Sequence, residues 1–178
     1  CVALLWANRL LPADLAEHLE GKTIRAVERR AKYLFLHLDA GSVIVHLGMS
    51  GSLRVITDDS PAMTHDHVEL ILGNHRRLRF NDPRRFGCWL WTTEWNRHPL
   101  ISALGPEPLS EDFNGAWLFR LSRQKQTPIK SFIMDNHVVV GVGNIYANEA
   151  LFKAGIHPKR KAGRISLDRY HKLAEAIR

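Results

Sequence analysis

Three short stretches of this chain carry residue types that can act on a polyanion. Asp82-Pro83-Arg84-Arg85-Phe86-Gly87 puts two guanidinium groups and an aromatic ring on what reads as a turn between strands. Such a tip can wedge Phe86 between stacked bases while Arg84 donates to a base edge or a phosphate. It reads equally as a turn with solvated arginines and Phe86 folded into the core. His46-Leu47-Gly48-Met49-Ser50-Gly51-Ser52-Leu53-Arg54 places Met49 on a glycine-flanked turn, where its flexible thioether is either core filler or a second wedge. The third stretch runs from Met134 to Ala150 and contains Val140-Gly141-Val142-Gly143-Asn144 ahead of a helical run. Gly141 and Gly143 are expected to take backbone angles closed to other residues, with Asn144 as the N-cap. A helix start of this kind turns free N–H groups and the positive end of the helix dipole toward solvent, which makes an anion site; two glycines before a helix also make a plain turn.

Charge favours the anion reading. Residues 120–178 hold 12 Lys+Arg against 4 Asp+Glu, whereas residues 1–119 hold 13 against 14, so the formal charge of +7 is concentrated around the third stretch. That distribution, with an isoelectric point near 9.8, fits a nucleic-acid partner better than a diffuse solubility effect. Arg29-Arg30-Ala31-Lys32-Tyr33, read as lying just before a strand, and His65-Asp66-His67 after a proline-containing loop are further candidate phosphate contacts, as is Lys130. Each is also compatible with a solvated surface. The two histidines and the aspartate have no well-spaced further ligand, so no metal site is expected. Cys1 and Cys88 are too few for a disulfide framework. No Gly-x-Ser-x-Gly elbow, phosphate-binding Walker loop, His-Glu-x-x-His or dinucleotide fingerprint occurs. No apolar run reaches the roughly 20 residues of a membrane span.

The elements that must position these residues fall into two kinds. After a short amphipathic helix over 12–20 closed by Gly21, strand-like runs appear at 23–27, 33–38, 42–47, 52–56, 67–72, 77–80 and 88–91. Short β-rich runs between turn residues predict an antiparallel sandwich or barrel. Leu104-Gly105-Pro106-Glu107-Pro108-Leu109-Ser110 reads as a linker. Beyond it, 115–121, 127–134, 144–154 and 166–178 read as helices, with Pro128 in a first turn and Ser166 as a cap. The expected fold class is therefore α+β: an antiparallel β-sandwich domain over 1–104 followed by a helical domain over 105–178. The chain opens on Cys1 and its last residues run on in a helical pattern, so it is expected to be an internal piece of a longer protein.

Taken in order, the motifs at 29–33, 46–54, 65–68, 82–87, 104–113, 129–136 and 140–158 resemble bacterial formamidopyrimidine-DNA glycosylase over nearly the whole chain. The resemblance implies base-excision repair of oxidised purines, notably 8-oxoguanine and formamidopyrimidines, in double-stranded DNA. It further implies AP lyase activity, action in the bacterial cytoplasm, and a monomer. In that family an amino-terminal proline attacks C1′ of a flipped nucleotide, a neighbouring glutamate assists, and an imine intermediate permits strand cleavage. By resemblance, Met49, Arg84 and Phe86 fill the vacated space, with Arg84 facing cytosine. Lys32, His65 and Asn144 match phosphate-contacting positions, Lys32 also supporting the reacting nucleotide, and Lys130 matches a lysine near the DNA. The stretch from Met134 to Ala150 matches a helix-two-turn-helix DNA-binding element.

The family's Pro-Glu start is expected to precede Cys1, and its four-cysteine finger with one structural zinc to follow Arg178. No cofactor is expected within the chain, no residue of it is cast as the nucleophile, and the 178 residues alone are expected to be inactive. The alternatives are an endonuclease VIII-type enzyme for oxidised pyrimidines and a non-catalytic nucleic-acid-binding protein.

Overall fold

The computed structural model describes residues 12 and 14–178, and the backbone of residues 2–4. Cys1 and Ala13 lie outside the described residues. The chain divides into two compact units, Cys1–His98 and Pro99–Arg178.

The first unit is a sandwich of two four-stranded antiparallel sheets. One takes β1 (Val2–Leu4), β6 (Asp66–Leu72), β7 (Arg77–Asn81) and β5 (Ser52–Ile56) in that spatial order. The other takes β2 (Ala26–Arg30), β3 (Tyr33–His37), β4 (Ser42–His46) and β8 (Cys88–Thr92). Alternate apolar residues of both sheets, among them Leu36, Val43, Val45, Val68, Leu70, Phe80 and Trp89, meet in one core, which α1 (Leu15–Leu19) closes with Leu15 and Leu19. Gly21 ends that helix at φ +70, the left-handed conformation expected of it.

One expectation shifts here. The first strand of the second sheet runs over Ala26–Arg30, not 23–27, so Arg29 and Arg30 sit in a strand and only Ala31-Lys32 form the turn. The reason is the two-residue hairpin: Arg30 pairs with Tyr33, and Ala31 takes a φ of +56 to make the reversal. The register also slips between Asp66 and Val68, leaving His67 as a bulge residue on β6.

The second unit is helical: α2 (Pro99–Ser102), α3 (Gly115–Ser122), α4 (Ile129–Ile133), α5 (Asn144–Lys153) and α6 (Leu167–Ile177). Asn114 caps α3 by accepting the Trp117 amide at 2.9 Å, and Ser166 caps α6 as expected. Its core joins Phe113, Leu118, Ile129, Phe132 and Ile133 to Val138, Val139, Val142, Leu151, Tyr170 and Leu173. The helix expected from Thr127 starts two residues later. Pro128 stands at its cap in extended conformation, bridged to Lys161, because the segment before it is drawn into main-chain bonding. Among the described residues no helix is long and apolar enough to cross a membrane.

Candidate nucleic-acid interface

In the sandwich, the β4–β5 and β7–β8 connections come together at one corner. Gly48 has a φ of +69, and a Cβ there would stand 2.7 Å from the backbone of Phe86 and Gly87. A Cβ on Gly87 would meet Phe80 at 2.5 Å and the His46 carbonyl at 2.8 Å. Glycine at both positions is thus a packing requirement, and it brings the two loops into contact. Their shape is fixed by Asp82, which is only 1% exposed. One carboxylate oxygen accepts the Gly87 amide at 2.7 Å, and the other accepts the Ser50 hydroxyl at 3.0 Å. Burial alone would raise this carboxyl's pKa, but the bonds from the Gly87 amide, the Ser50 hydroxyl and the Arg84 and Arg85 amides outweigh it and hold the group below its ordinary range.

The groups displayed at this corner include apolar ones. Met49 is 76% exposed and Phe86 57%, so neither is core filler. The Arg84 guanidinium lies 4.9 Å from the centre of the Phe86 ring, a cation–π contact that stiffens both. His65, at φ +74, is tied to the same corner through its carbonyl, which accepts the Asp82 amide at 3.0 Å, while the bulged His67 donates from Nε2 to the Asp82 carbonyl at 2.9 Å. The loop carrying His65 is itself anchored by Arg79, 2% exposed, which donates to Pro61 and Ser60 carbonyls at 3.0 and 2.9 Å and pairs with buried Glu69.

Lys32 stands exposed on the β2–β3 turn, beside a cleft of about 320 Å³ lined by Arg29, Tyr33, Leu34, His46, Leu47 and Gly48. His46 accepts the Gly48 amide on Nδ1 at 3.1 Å, which makes it the neutral Nε2–H tautomer. Burial, helped by the charge on Lys32, holds its pKa below the ordinary histidine value. Burial pushes the neighbouring Cys88 thiol up against a small opposing effect of its bond with the His46 backbone, leaving it a poor nucleophile at neutral pH.

In the helical unit, the segment between α4 and α5 is held from several sides. The Val140 amide bonds to the Pro106 carbonyl at 3.2 Å, the Gly105 amide to Asn136 at 2.8 Å, and Trp117 Nε1 to the Val138 carbonyl at 2.8 Å. Val138, Val139, Val140 and Val142 are buried, so their side chains anchor the turns while the backbone faces outward at the start of α5. Gly141, at φ +82, fills the left-handed role expected of it. Gly143 does not: its φ of −99 and ψ of −174 are open to any residue. It also takes the cap position assigned to Asn144, because its carbonyl accepts the first intrahelical bond, from Ala147 at 2.9 Å. Asn144 is the first helical residue, exposed, and its side chain has no hydrogen-bond partner among the described residues. The amides of Asn144, Ile145 and Tyr146 precede the helical ladder and all three residues are exposed. Lys130 is half-buried on α4, its amide bonded to the Pro158 carbonyl at 3.2 Å.

Within the sandwich, then, the structure gathers Met49, Arg84, Phe86 and His65 around Asp82, with Lys32 at the adjoining cleft, and within the helical unit it presents Asn144 and Lys130 on consecutive helices. Asp82 and Ser50 had no place among the candidates. Their types in two separate turns were the only signal, and nothing local pairs them.

The amino-terminal part matches the model for the formamidopyrimidine-DNA glycosylase N-terminal domain over residues 3–89, and the carboxy-terminal part the H2TH domain of the same enzymes over residues 104–178. The chain is 96% identical over 168 residues to a formamidopyrimidine-DNA glycosylase of Marinobacter nauticus and 59% identical to one of Methylococcus capsulatus, in each case over 94% of this chain and 62% of the relative. It thus spans 62% of the length of these curated relatives. The complex of Lactococcus lactis Fpg with DNA containing an abasic site superposes with a TM-score of 0.90 at 32% identity, covering 98% of this chain and 67% of that one. A complex of the same enzyme with Fapy-dG-containing DNA gives 0.90 at 31%, covering 98% and 68%.

Proposed function

The chain belongs to the formamidopyrimidine-DNA glycosylase family, and from that premise we propose that it is the lesion-reading and backbone-gripping part of a bifunctional DNA glycosylase and AP lyase. The observation that carries the reading is the sandwich corner, where a cation and two exposed apolar side chains stand together on loops locked by Asp82. When a damaged purine leaves the stack, it leaves a void beside an unpaired base. Met49 and Phe86 are suited to fill such a void because both are apolar and solvated at rest, so entering the stack removes them from water. Arg84, steadied against Phe86, is a donor for the acceptors of the orphaned base, which the resemblance identifies as cytosine. Lys32 and His65 flank the corner as phosphate contacts, and Asn144 with the open amides of α5 supplies another through an unpaired side chain and a helix start. Lys130 adds charge on the preceding helix.

The nucleophile is assigned to a Pro-Glu start carried by a protein of the relatives' full length, acting as an amine that forms an imine at C1′. The substrates would be oxidised purines in double-stranded DNA, the setting the bacterial cytoplasm, and the working form a monomer. The family's structural zinc is assigned to a separate four-cysteine finger. The described residues offer no cluster of three or more His, Cys, Asp or Glu that fits it, and no step here runs through a metal. Borohydride trapping on an 8-oxoguanine·cytosine duplex tests the assignment. A covalent adduct is expected from a full-length protein containing these residues and not from residues 1–178 alone. A folded full-length protein that gives none would leave a non-catalytic DNA-binding protein.

A further inference from the structure

Among the described residues several surface cations pair with carboxylates. Arg25 pairs with Asp39 at 2.7 Å, Arg77 with Asp59 at 2.7 Å, Arg97 with Glu94 at 3.2 Å and Lys172 with Asp168 at 3.3 Å. One group differs. Lys125, Lys159, Arg160, Lys161 and Arg164 are all exposed, and none of their side chains has a hydrogen bond or an ion pair among the described residues. Burial would raise the pKa of the Asp135 carboxyl, but the bonds and charge of His137 and, least, the charge of Lys125 hold it below its ordinary range, and Lys125 makes no ion pair with it among the described residues.

These five do not sit on a loose loop. The Ile129 amide bonds to the Arg160 carbonyl at 2.8 Å, Ala162 to Thr127 at 3.0 Å and Gly163 to Lys125 at 3.0 Å. Tyr170 donates from its hydroxyl to the Ala162 carbonyl at 3.0 Å, and Arg123 donates to Ile165 at 3.0 Å. A Cβ at Gly163 would come within 2.9 Å of the Lys125 carbonyl, so the two segments lie against each other with no room between them. The fold therefore fixes the backbone that carries five like charges at one place, which costs self-repulsion in the free protein and is relieved by a polyanion. A backbone ordered in advance binds without the entropic cost of ordering it.

We infer that this strip is a second surface for the phosphate backbone of duplex DNA. It continues from Lys130, whose amide already bonds to Pro158 at the head of the strip. The inference rests on the duplex-binding reading above and adds phosphate contacts outside the helix-two-turn-helix turns. Its lysines and arginines would contribute affinity without sequence or lesion preference, since phosphates carry no sequence information.

The test is the salt dependence of binding of an undamaged duplex to the 178-residue chain, read by fluorescence anisotropy. Lys159→Ala/Lys161→Ala is compared with Arg25→Ala/Arg97→Ala, which removes the same net charge from the sandwich, with Lys159→Arg/Lys161→Arg, and with Asn144→Ala. The strip double variant is expected to bind about tenfold more weakly near 0.1 M salt and to flatten the log–log salt slope by about 2, one unit for each lost phosphate contact. The arginine pair is expected to restore both, and the sandwich pair to change little. Equal losses from the strip and sandwich pairs would mean diffuse charge and overturn the inference. So would an unchanged slope for the strip variant in a chain that binds and that Asn144→Ala weakens. If the unsubstituted chain, folded by circular dichroism, does not bind duplex at all, the duplex-binding reading fails and the strip's role with it.

Discussion

In the sandwich, Met49, Arg84 and Phe86 stand on turns whose shape depends on one buried carboxylate reaching from Asp82 to Ser50 and Gly87. In the helical unit, Asn144 stands at a helix start shaped by main-chain bonds and by a run of buried valines. The first arrangement sets apolar and cationic groups side by side at a fixed spacing, which suits reading a base and its vacancy. The second exposes amides and an unpaired amide side chain, which suits holding a phosphate of any sequence. Base reading is thus assigned to the sandwich corner, and grip to the helix start together with Lys32 and His65, the corner and the helix start resting on different kinds of support.

The sharpest way to break that contrast is to remove the carboxylate. Asp82→Ala leaves the Gly87 amide and the Ser50 hydroxyl without their acceptor in a buried place. It is expected to cost about 2–3 kcal/mol of unfolding free energy in urea. A midpoint within error of the unsubstituted chain would show that the tips are held by packing alone. Next in size is Arg84→Ala in a full-length protein. Excision opposite cytosine is expected to lose its advantage over excision opposite adenine by about tenfold or more, the scale of one good base contact. An unaltered opposite-base profile would remove Arg84 from the reading role.

Asn144→Ala should act the other way, weakening duplex binding by about 1 kcal/mol with the opposite-base profile preserved. A changed profile with full affinity would reverse the division of labour between the units. The smallest effect concerns pH. His46 is held below its ordinary pKa while its Nδ1 accepts from Gly48. Its contribution to stability is therefore complete above the unfolded value of about 6.5 and is lost as pH falls through the lower folded value. The urea midpoint of the unsubstituted chain should drop more between pH 7.5 and 5.5 than that of His46→Asn, in which the side-chain oxygen still accepts. Parallel drops would mean that the other histidines account for the change.

Much of the architecture was legible in residue order because local periodicity dictates it. The β-branched and aromatic runs of Tyr33–His37 and Ser42–His46, the turn residues between strands, Gly21 and Gly141 at positive φ, and Ser166 before α6 each express a preference that acts within a few residues. Errors came where distant segments compete with local preference. Pro128 gave up its place in a first turn to bridge Lys161, and Arg29 joined a strand because Arg30 had to face Tyr33 across a two-residue turn. The Asn144 cap was a fair local expectation that lost to Gly143, whose carbonyl took the first helical bond.

The candidate site divides along the same line. Residue types and order placed Met49, Arg84, Phe86, Lys32, His65, Lys130 and Asn144 in stretches that could meet a polyanion or equally be plain turns and solvated surface, and the family resemblance singled them out and implied a role for each. The excess of Lys and Arg after residue 120 was countable in the chain itself. Whether Met49 and Phe86 were buried or displayed was not, since burial depends on what else fills the core. Nor was the bond that ties Ser50 to Asp82 across 32 residues, or the absence, among the described residues, of carboxylate partners for Lys159, Arg160 and Lys161. Those facts belong to tertiary structure because hydrogen bonds and ion pairs act over a few ångströms, and only the folded chain decides which groups come that close.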